Sequence, residues 1–250
     1  MCFDHDSSPP IAPISGAAVS HDNLVLEAGD GNRLAAFAAA LDEPARVGVV
    51  ILPDVRGLSR FYEELALRFA EREYAAVAID YFGRTAGVSK RDDDFEYMPH
   101  VEQTTQDGIQ ADTAAAVAHL REAGCDAVFT VGFCFGGRNS WLAAAGGHDL
   151  AGAIGFYGRP GPGRDGSSGP TQRVGELAAP ILALMGGDDP GIPLAEVEAF
   201  DAALADAGVE HEVVVYPGAP HSFFDRKYEE FATDSEDAWR RVLEFLERYS

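Results

Sequence analysis

The chain has 250 residues, enough for one large domain with a sizeable core. Hydrophobic residues make up 46% and charged residues 24%, yet 19 basic against 41 acidic side chains leave a net charge of −22, which weighs against nucleic acids and anionic membranes as partners. No apolar run approaches the roughly 20 residues that span a bilayer, Met1–Asp6 lacks the pattern of a signal peptide, and three cysteines (Cys2, Cys125, Cys134) are too sparse for a disulfide framework.

A reduced, cytoplasmic protein is therefore expected, read as a single domain over residues 1–250. Residues 1–20, rich in Pro, Ser and Ala, read as an irregular arm. Cys2 and His5 have a spacing that could bind metal, but no second ligand pair stands near them, so an incidental role is favoured. Leu24–Ala28 and Arg33–Ala40 flank Gly29-Asp30-Gly31-Asn32, a hairpin-turn signal. Val47–Leu52 is a continuous apolar run suited to a strand buried on both faces, ending at Pro53-Asp54-Val55-Arg56-Gly57.

Residues 59–72 carry apolar positions at Phe61, Leu65 and Phe69 with charges between them, which predicts a helix. Tyr74–Ile79 is the next strand, ending in Asp80-Tyr81-Phe82-Gly83-Arg84. Residues 85–101, with the cluster Lys90-Arg91-Asp92-Asp93-Asp94, read as a long surface excursion, of a length usually functional or mobile. An Ala-rich helix over 103–123 leads to a strand at Ala127–Val131.

That strand runs into Gly132-Phe133-Cys134-Phe135-Gly136-Gly137, after which Arg138–Ala145 reads as a helix. Strand, tight turn and helix around a nucleophile between glycines is the layout of a nucleophile elbow. It would hold the Cys134 sulfur over a helix amino end, where backbone N–H groups and the helix dipole favour a thiolate and then an oxyanion. The competing reading is a structural cysteine in an ordinary turn.

Further along, Ala151–Tyr157 is a strand, Arg159–Gly169 a Gly/Pro-rich loop, and Pro180–Met185 a strand ending in Gly186-Gly187-Asp188-Asp189-Pro190. Leu194–Ala207 reads as a helix, Glu210–Tyr216 as a strand, Pro217–Phe224 as a loop carrying His221, and Tyr228–Tyr249 as a long amphipathic helix. The alternation implies an α/β fold with a mostly parallel central sheet covered by helices on both faces. Ligand chemistry in such sheets sits beyond the carboxyl ends of the strands. Asp54, Arg84, Cys134, Asp189 and His221 each follow a predicted strand, and so share one rim.

The chain order nucleophile, acid, histidine matches the α/β-hydrolases. His221 would deprotonate Cys134 and later protonate the leaving group, with an aspartate orienting the imidazole. Chemistry alone leaves Asp188 and Asp189 both open. The strand-end motifs just quoted, with His221-Ser222-Phe223-Phe224, resemble those of the dienelactone hydrolase (carboxymethylenebutenolidase-like) family over about residues 24–249. The resemblance implies an α/β-hydrolase fold, selects Asp189 as the acid, and implies opening of a cyclic unsaturated ester through a thioester, without metal or organic cofactor.

It further implies an oxyanion hole from the N–H groups of Val55 and Phe135, and places Asp54 where the family holds a thiol-facing glutamate. Arg84 matches one of the arginines that bind the substrate carboxylate, whereas the second falls at Asp225, beside Arg226. An aspartate there would repel an anionic substrate, so hydrolase is a firmer expectation than dienelactone. A general carboxylesterase or thioesterase with the same triad, and a non-catalytic binding protein on a hydrolase scaffold, are the alternatives. The partner is expected to be a small ester or lactone, and the protein a monomer or homodimer.

Overall fold

The computed structural model describes residues 7–89, 91–92, 94–163, 166–225 and 227–250. Cys2, His5, Lys90 and Arg226 lie outside them. Eight strands form one sheet in the order β1-β2-β4-β3-β5-β6-β7-β8. The hairpin β1 (Val19–Glu27) and β2 (Arg33–Leu41) closes through the expected turn, where the Gly31 N–H donates to the Ala28 carbonyl. β2 is antiparallel to β1 and to β4 (Ala75–Ile79). From β4 onward every pairing is parallel, through β3 (Val47–Leu52), β5 (Ala127–Phe133), β6 (Gly152–Phe156), β7 (Ile181–Gly186) and β8 (His211–Tyr216).

Alternation along the strands sends side chains into two cores. Phe37, Val49, Ile51, Phe129 and Val131 meet α1 (Arg60–Ala70) and α7 (Ala232–Tyr249) on one face. Ala36, Val50, Leu52 and Val128 meet α4 (Gln106–Glu122), α5 (Phe135–Ala143) and α6 (Leu194–Ala207) on the other. Each core holds one tryptophan. Trp239 on α7 stacks edge-on against Phe69, with ring centroids 4.9 Å apart. Trp141 on α5 is fully buried and donates its indole N–H to the Leu182 carbonyl at 3.1 Å. Burying two faces of one parallel sheet is what made β3 and β5 continuous apolar runs.

Three stretches depart from expectation. The amino-terminal arm is partly structure: Ile11 is buried in the α1/α7 core, and β1 begins at Val19, inside the stretch read as irregular. Apolar Ile11 and Ile14 were too isolated to form a periodic signal. The excursion after β4 holds two short helices, α2 (Gly83–Ala86) and α3 (Met98–Val101). Arg91 pins it from inside, with its side chain 4% exposed and bound to both oxygens of buried Asp80 at 3.2 and 2.8 Å. A run of charges therefore hides a buried ion pair. A 3-10 helix, Pro170–Glu176, also closes the Gly/Pro-rich loop.

Candidate active site

β5 ends at Phe133, and Cys134 occupies a left-handed conformation (φ 55°, ψ −111°) before α5 begins at Phe135. Positive φ is strained for a residue with a side chain. The strain follows from how closely strand and helix approach. A Cβ on Gly132 would overlap the Gly136 carbonyl, and a Cβ on Gly136 would overlap the carbonyls of Leu52 and Pro53. Only glycine lets the helix start this near β3, so the two glycines set the geometry and the cysteine bears the turn. Cys134 is partly exposed and in no disulfide, and its own N–H donates to the Phe156 carbonyl at 3.0 Å.

His221 follows β8, as expected, and Asp189 follows β7. The Asp189 Oδ2 lies 2.6 Å from the His221 Nδ1, and its Oδ1 accepts the Gly191 N–H at 2.8 Å. The Asp189 side chain is 2% exposed against 31% for His221, so the acid is sequestered and the imidazole reachable. With Nδ1 committed to a carboxylate, proton chemistry at this ring passes through Nε2. Asp188 next door uses its N–H on the Ala219 carbonyl. Aromatic packing ties these loops to the elbow: Phe133, preceding Cys134, has its ring centroid 5.9 Å from Phe224, three residues after His221.

Phe135 is the first residue of α5, where N–H groups lack intrahelical acceptors. Because Gly136 packs on the Leu52 and Pro53 carbonyls, the start of α5 adjoins the turn that carries Val55. Tyr81 braces both sides: its ring is 5.4 Å from Phe135 and its hydroxyl donates to the Pro53 carbonyl at 2.9 Å. Burial pushes the Tyr81 hydroxyl well above its usual range, and the charges of Asp54 and Asp80 add to the effect, so it stays a donor. Asp80 fixes the same turn from below, since its Oδ1 accepts the Leu58 N–H at 3.1 Å and its Oδ2 the Phe82 N–H at 2.8 Å.

Arg84 and Asp54 are both engaged by partners within the protein. Arg84 donates one terminal nitrogen to Asp112 and the other to Asp30, each at 2.6 Å, while Asn32 donates to the other oxygen of Asp112. Burial pushes the Asp112 carboxyl up, against the pull of Arg84 and Asn32. The guanidinium thus joins α2, α4 and the β1–β2 turn instead of standing as an unpaired cation. Asp54 is fully buried. Its Oδ1 accepts the Arg56 N–H at 2.8 Å, Arg56 Nε stands 3.6 Å from its Oδ2, and its own N–H donates to Tyr62. It organises its own turn.

Asp225, at the family's second arginine position, is only 1% exposed and accepts the Tyr157 hydroxyl at 2.5 Å. Its carboxyl is buried, not displayed. Tyr157 itself enters the site without having been singled out from sequence, although it directly follows β6 and so obeyed the strand-end rule that found the others. Among the described residues, no three His, Cys, Asp or Glu side chains come together in a way that could hold a metal ion.

A model of the dienelactone hydrolase family matches residues 34–250. The chain belongs to this family. It is similar to a "Putative carboxymethylenebutenolidase" of Escherichia coli (strain K12), 29% identical over 97% of this chain and 94% of that one. A namesake from Salmonella typhimurium is 27% identical over 100% and 98%. Among solved structures, a "Putative Dienelactone Hydrolase" from Klebsiella pneumoniae has a TM-score of 0.80 at 25% identity, covering 93% of this chain and 100% of that one. A metagenomic dienelactone hydrolase-like promiscuous phosphotriesterase shares the fold at TM-score 0.78 and 21% identity, over 93% and 99%. The protein is an α/β-hydrolase-fold hydrolase of the dienelactone hydrolase type, and no helix among its described residues is long and apolar enough to cross a membrane.

Proposed function

We propose that this protein hydrolyses esters or lactones with Cys134 as nucleophile, His221 as acid–base and Asp189 as orienting carboxylate. The observation that supports the reading is the Asp189–His221 hydrogen bond on the same strand-end rim as a strained, glycine-flanked Cys134. His221 takes the thiol proton through Nε2, and the thiolate attacks the substrate carbonyl carbon. The N–H groups of Val55 and Phe135 receive the charge that develops on the carbonyl oxygen. Collapse breaks the acyl C–O bond, His221 returns its proton to the leaving alkoxide, and a Cys134 thioester remains. His221 then deprotonates a water, which attacks the thioester, releasing the acid and restoring the thiol.

A specific observation favours neutral over anionic esters. Arg84 is engaged by two aspartates and Asp225 is buried beside Tyr157, so neither described position presents an unpaired cation to a substrate carboxylate. The −22 net charge would also slow an anion's approach. These observations support a carboxylesterase or thioesterase over a strict dienelactone hydrolase. It would act in the reducing cytoplasm, where its sparse cysteines stay free, as a monomer or homodimer.

The test is to quench turnover of a p-nitrophenyl ester with acid and measure intact mass. An acyl adduct on wild-type protein that maps to Cys134 and is missing from Cys134→Ala supports the reading. A Cys134→Ala enzyme with undiminished turnover ends it.

A further inference from the structure

Five described residues other than glycine have positive φ: Glu73, Cys134, Asp149, Tyr157 and Ser222. Glu73 and Asp149 belong to surface turns beside helix α1 and strand β6. The other three belong to the carboxyl rim. Cys134 is the elbow, Ser222 follows His221, and Tyr157 follows β6, between the strands that deliver the nucleophile and the acid. Each such conformation is strained and survives only where the surroundings over-determine it. For Tyr157, at φ 37° and fully buried, those surroundings are visible.

The Tyr157 N–H is fixed by the Leu184 carbonyl at 2.8 Å. Its ring lies against His221, centroids 4.9 Å apart and planes inclined at 53°, and Phe223 meets it edge-on at 5.7 Å. Its hydroxyl donates to the Asp225 Oδ2 at 2.5 Å, a short bond between two buried groups. The Asp225 N–H in turn reaches the Ser222 carbonyl. The loop 221–225 is therefore tied at both ends, through Asp189 at the imidazole and through Tyr157 at Asp225.

We infer that Tyr157 and Asp225 are a positioning pair for His221. Tyr157 supplies the wall against which the imidazole rests, and the hydroxyl–carboxylate bond fixes how far loop 221–225 stands from that wall. Neither side chain exchanges a proton with substrate. The inference rests on the reading of His221 as the base. It adds that the ring's placement is set by two residues, one at the end of β6 and one within its own loop.

Steady-state kinetics on a neutral p-nitrophenyl ester, per folded molecule, test it. Tyr157→Phe keeps the ring and removes only the hydroxyl. It should lower kcat by about 10-fold or more, in line with a misplacement well under 1 Å, with KM changed less than about twofold. Asp225→Ala should do the same, and the double variant should be no slower than the slower single, because the bond is lost once. Asp225→Asn, which keeps an acceptor for the hydroxyl, should retain more kcat than Asp225→Ala even if the alanine variant folds poorly. Wild-type kcat in Tyr157→Phe, a rise in KM at constant kcat, or losses that multiply in the double variant would each overturn the inference. His221→Ala, run alongside, separates the two failures. If it keeps turnover, the base assignment is wrong. If it is inactive while Tyr157→Phe is unimpaired, only the positioning pair is wrong.

Discussion

The Asp189 Oδ2 sits 2.6 Å from Nδ1 of His221, joining the loops that follow two adjacent parallel strands, β7 and β8. The sequence brings these residues together from 32 positions apart, because parallel strands deliver all their carboxyl ends to one rim. The acid is nearly inaccessible and the imidazole is not. A carboxylate held away from water keeps its orientation, and the exposed ring keeps its access.

The chemistry of that pair predicts a graded loss. His221→Ala should abolish ester turnover, and Asp189→Asn should cut kcat by up to about 10⁴-fold by releasing the tautomer. Asp188→Asn, one residue away, should stay close to wild type. Comparing the three kcat values at one pH decides the acid: a damaging Asp188→Asn with a harmless Asp189→Asn would move the assignment by one position.

At the elbow, stability and activity should separate. Cys134→Ala removes the sulfur and should leave the melting temperature nearly unchanged while ending turnover. Gly136→Ala puts a methyl into the Leu52 and Pro53 carbonyls and should destabilise by about 3 kcal/mol, the upper end for overpacking. Urea denaturation of both variants checks this, and a Gly136→Ala protein of wild-type midpoint would contradict the close approach described.

Arg84 offers a third comparison. Its removal strands a buried carboxylate on Asp112, so Arg84→Ala should lower stability by about 3 kcal/mol. Because its cation is already neutralised, the ratio of kcat/KM for an anionic ester to that for a neutral one should not change. A selective loss on the anionic ester, of about 10-fold or more, would return Arg84 to the substrate.

A pH effect should arise at the base of α7. Partial burial opposes ionisation of Asp237, but hydrogen bonds from Arg241, Arg240 and Tyr216 outweigh it and hold its carboxyl down at about 2, from an ordinary 3.8. A depressed carboxyl stabilises the fold above the unfolded value and loses that contribution as pH falls through the folded one. The stability gap between wild type and Asp237→Asn should therefore be full near neutrality and shrink from about pH 4 towards 2. Chemical denaturation at several pH values measures it, and a gap independent of pH would exclude the linkage.

The elements with strong local signals were legible in the sequence. Val47–Leu52 and Leu194–Ala207 have the bounds their patterns imply, since continuous burial and helical period leave marks on neighbouring residues. The rim positions of Cys134, Asp189 and His221 were also legible, because strand ends are. Partnership was not. Arg84 and Asp112 are 28 residues apart and Arg84 and Asp30 are 54 apart, and no local pattern distinguishes an arginine awaiting a substrate from one already paired. Arg91 sat in a run of charges that read as solvated, although its partner Asp80 is one of the most buried residues of the chain. Asp225 looked like a repelling charge because burial of a single aspartate depends on Tyr157, 68 residues earlier.

The division of tryptophans between the two cores gives the molecule a pair of optical probes. Trp141 rides on the elbow helix under one face of the sheet, and Trp239 on the last helix under the other; the chain has no third. Ultraviolet emission is thus partitioned by layer. Replacing either indole by phenylalanine would leave a single emitter, and the two traces, recorded during heating, would tell whether the layers melt as one unit or the elbow side loosens first.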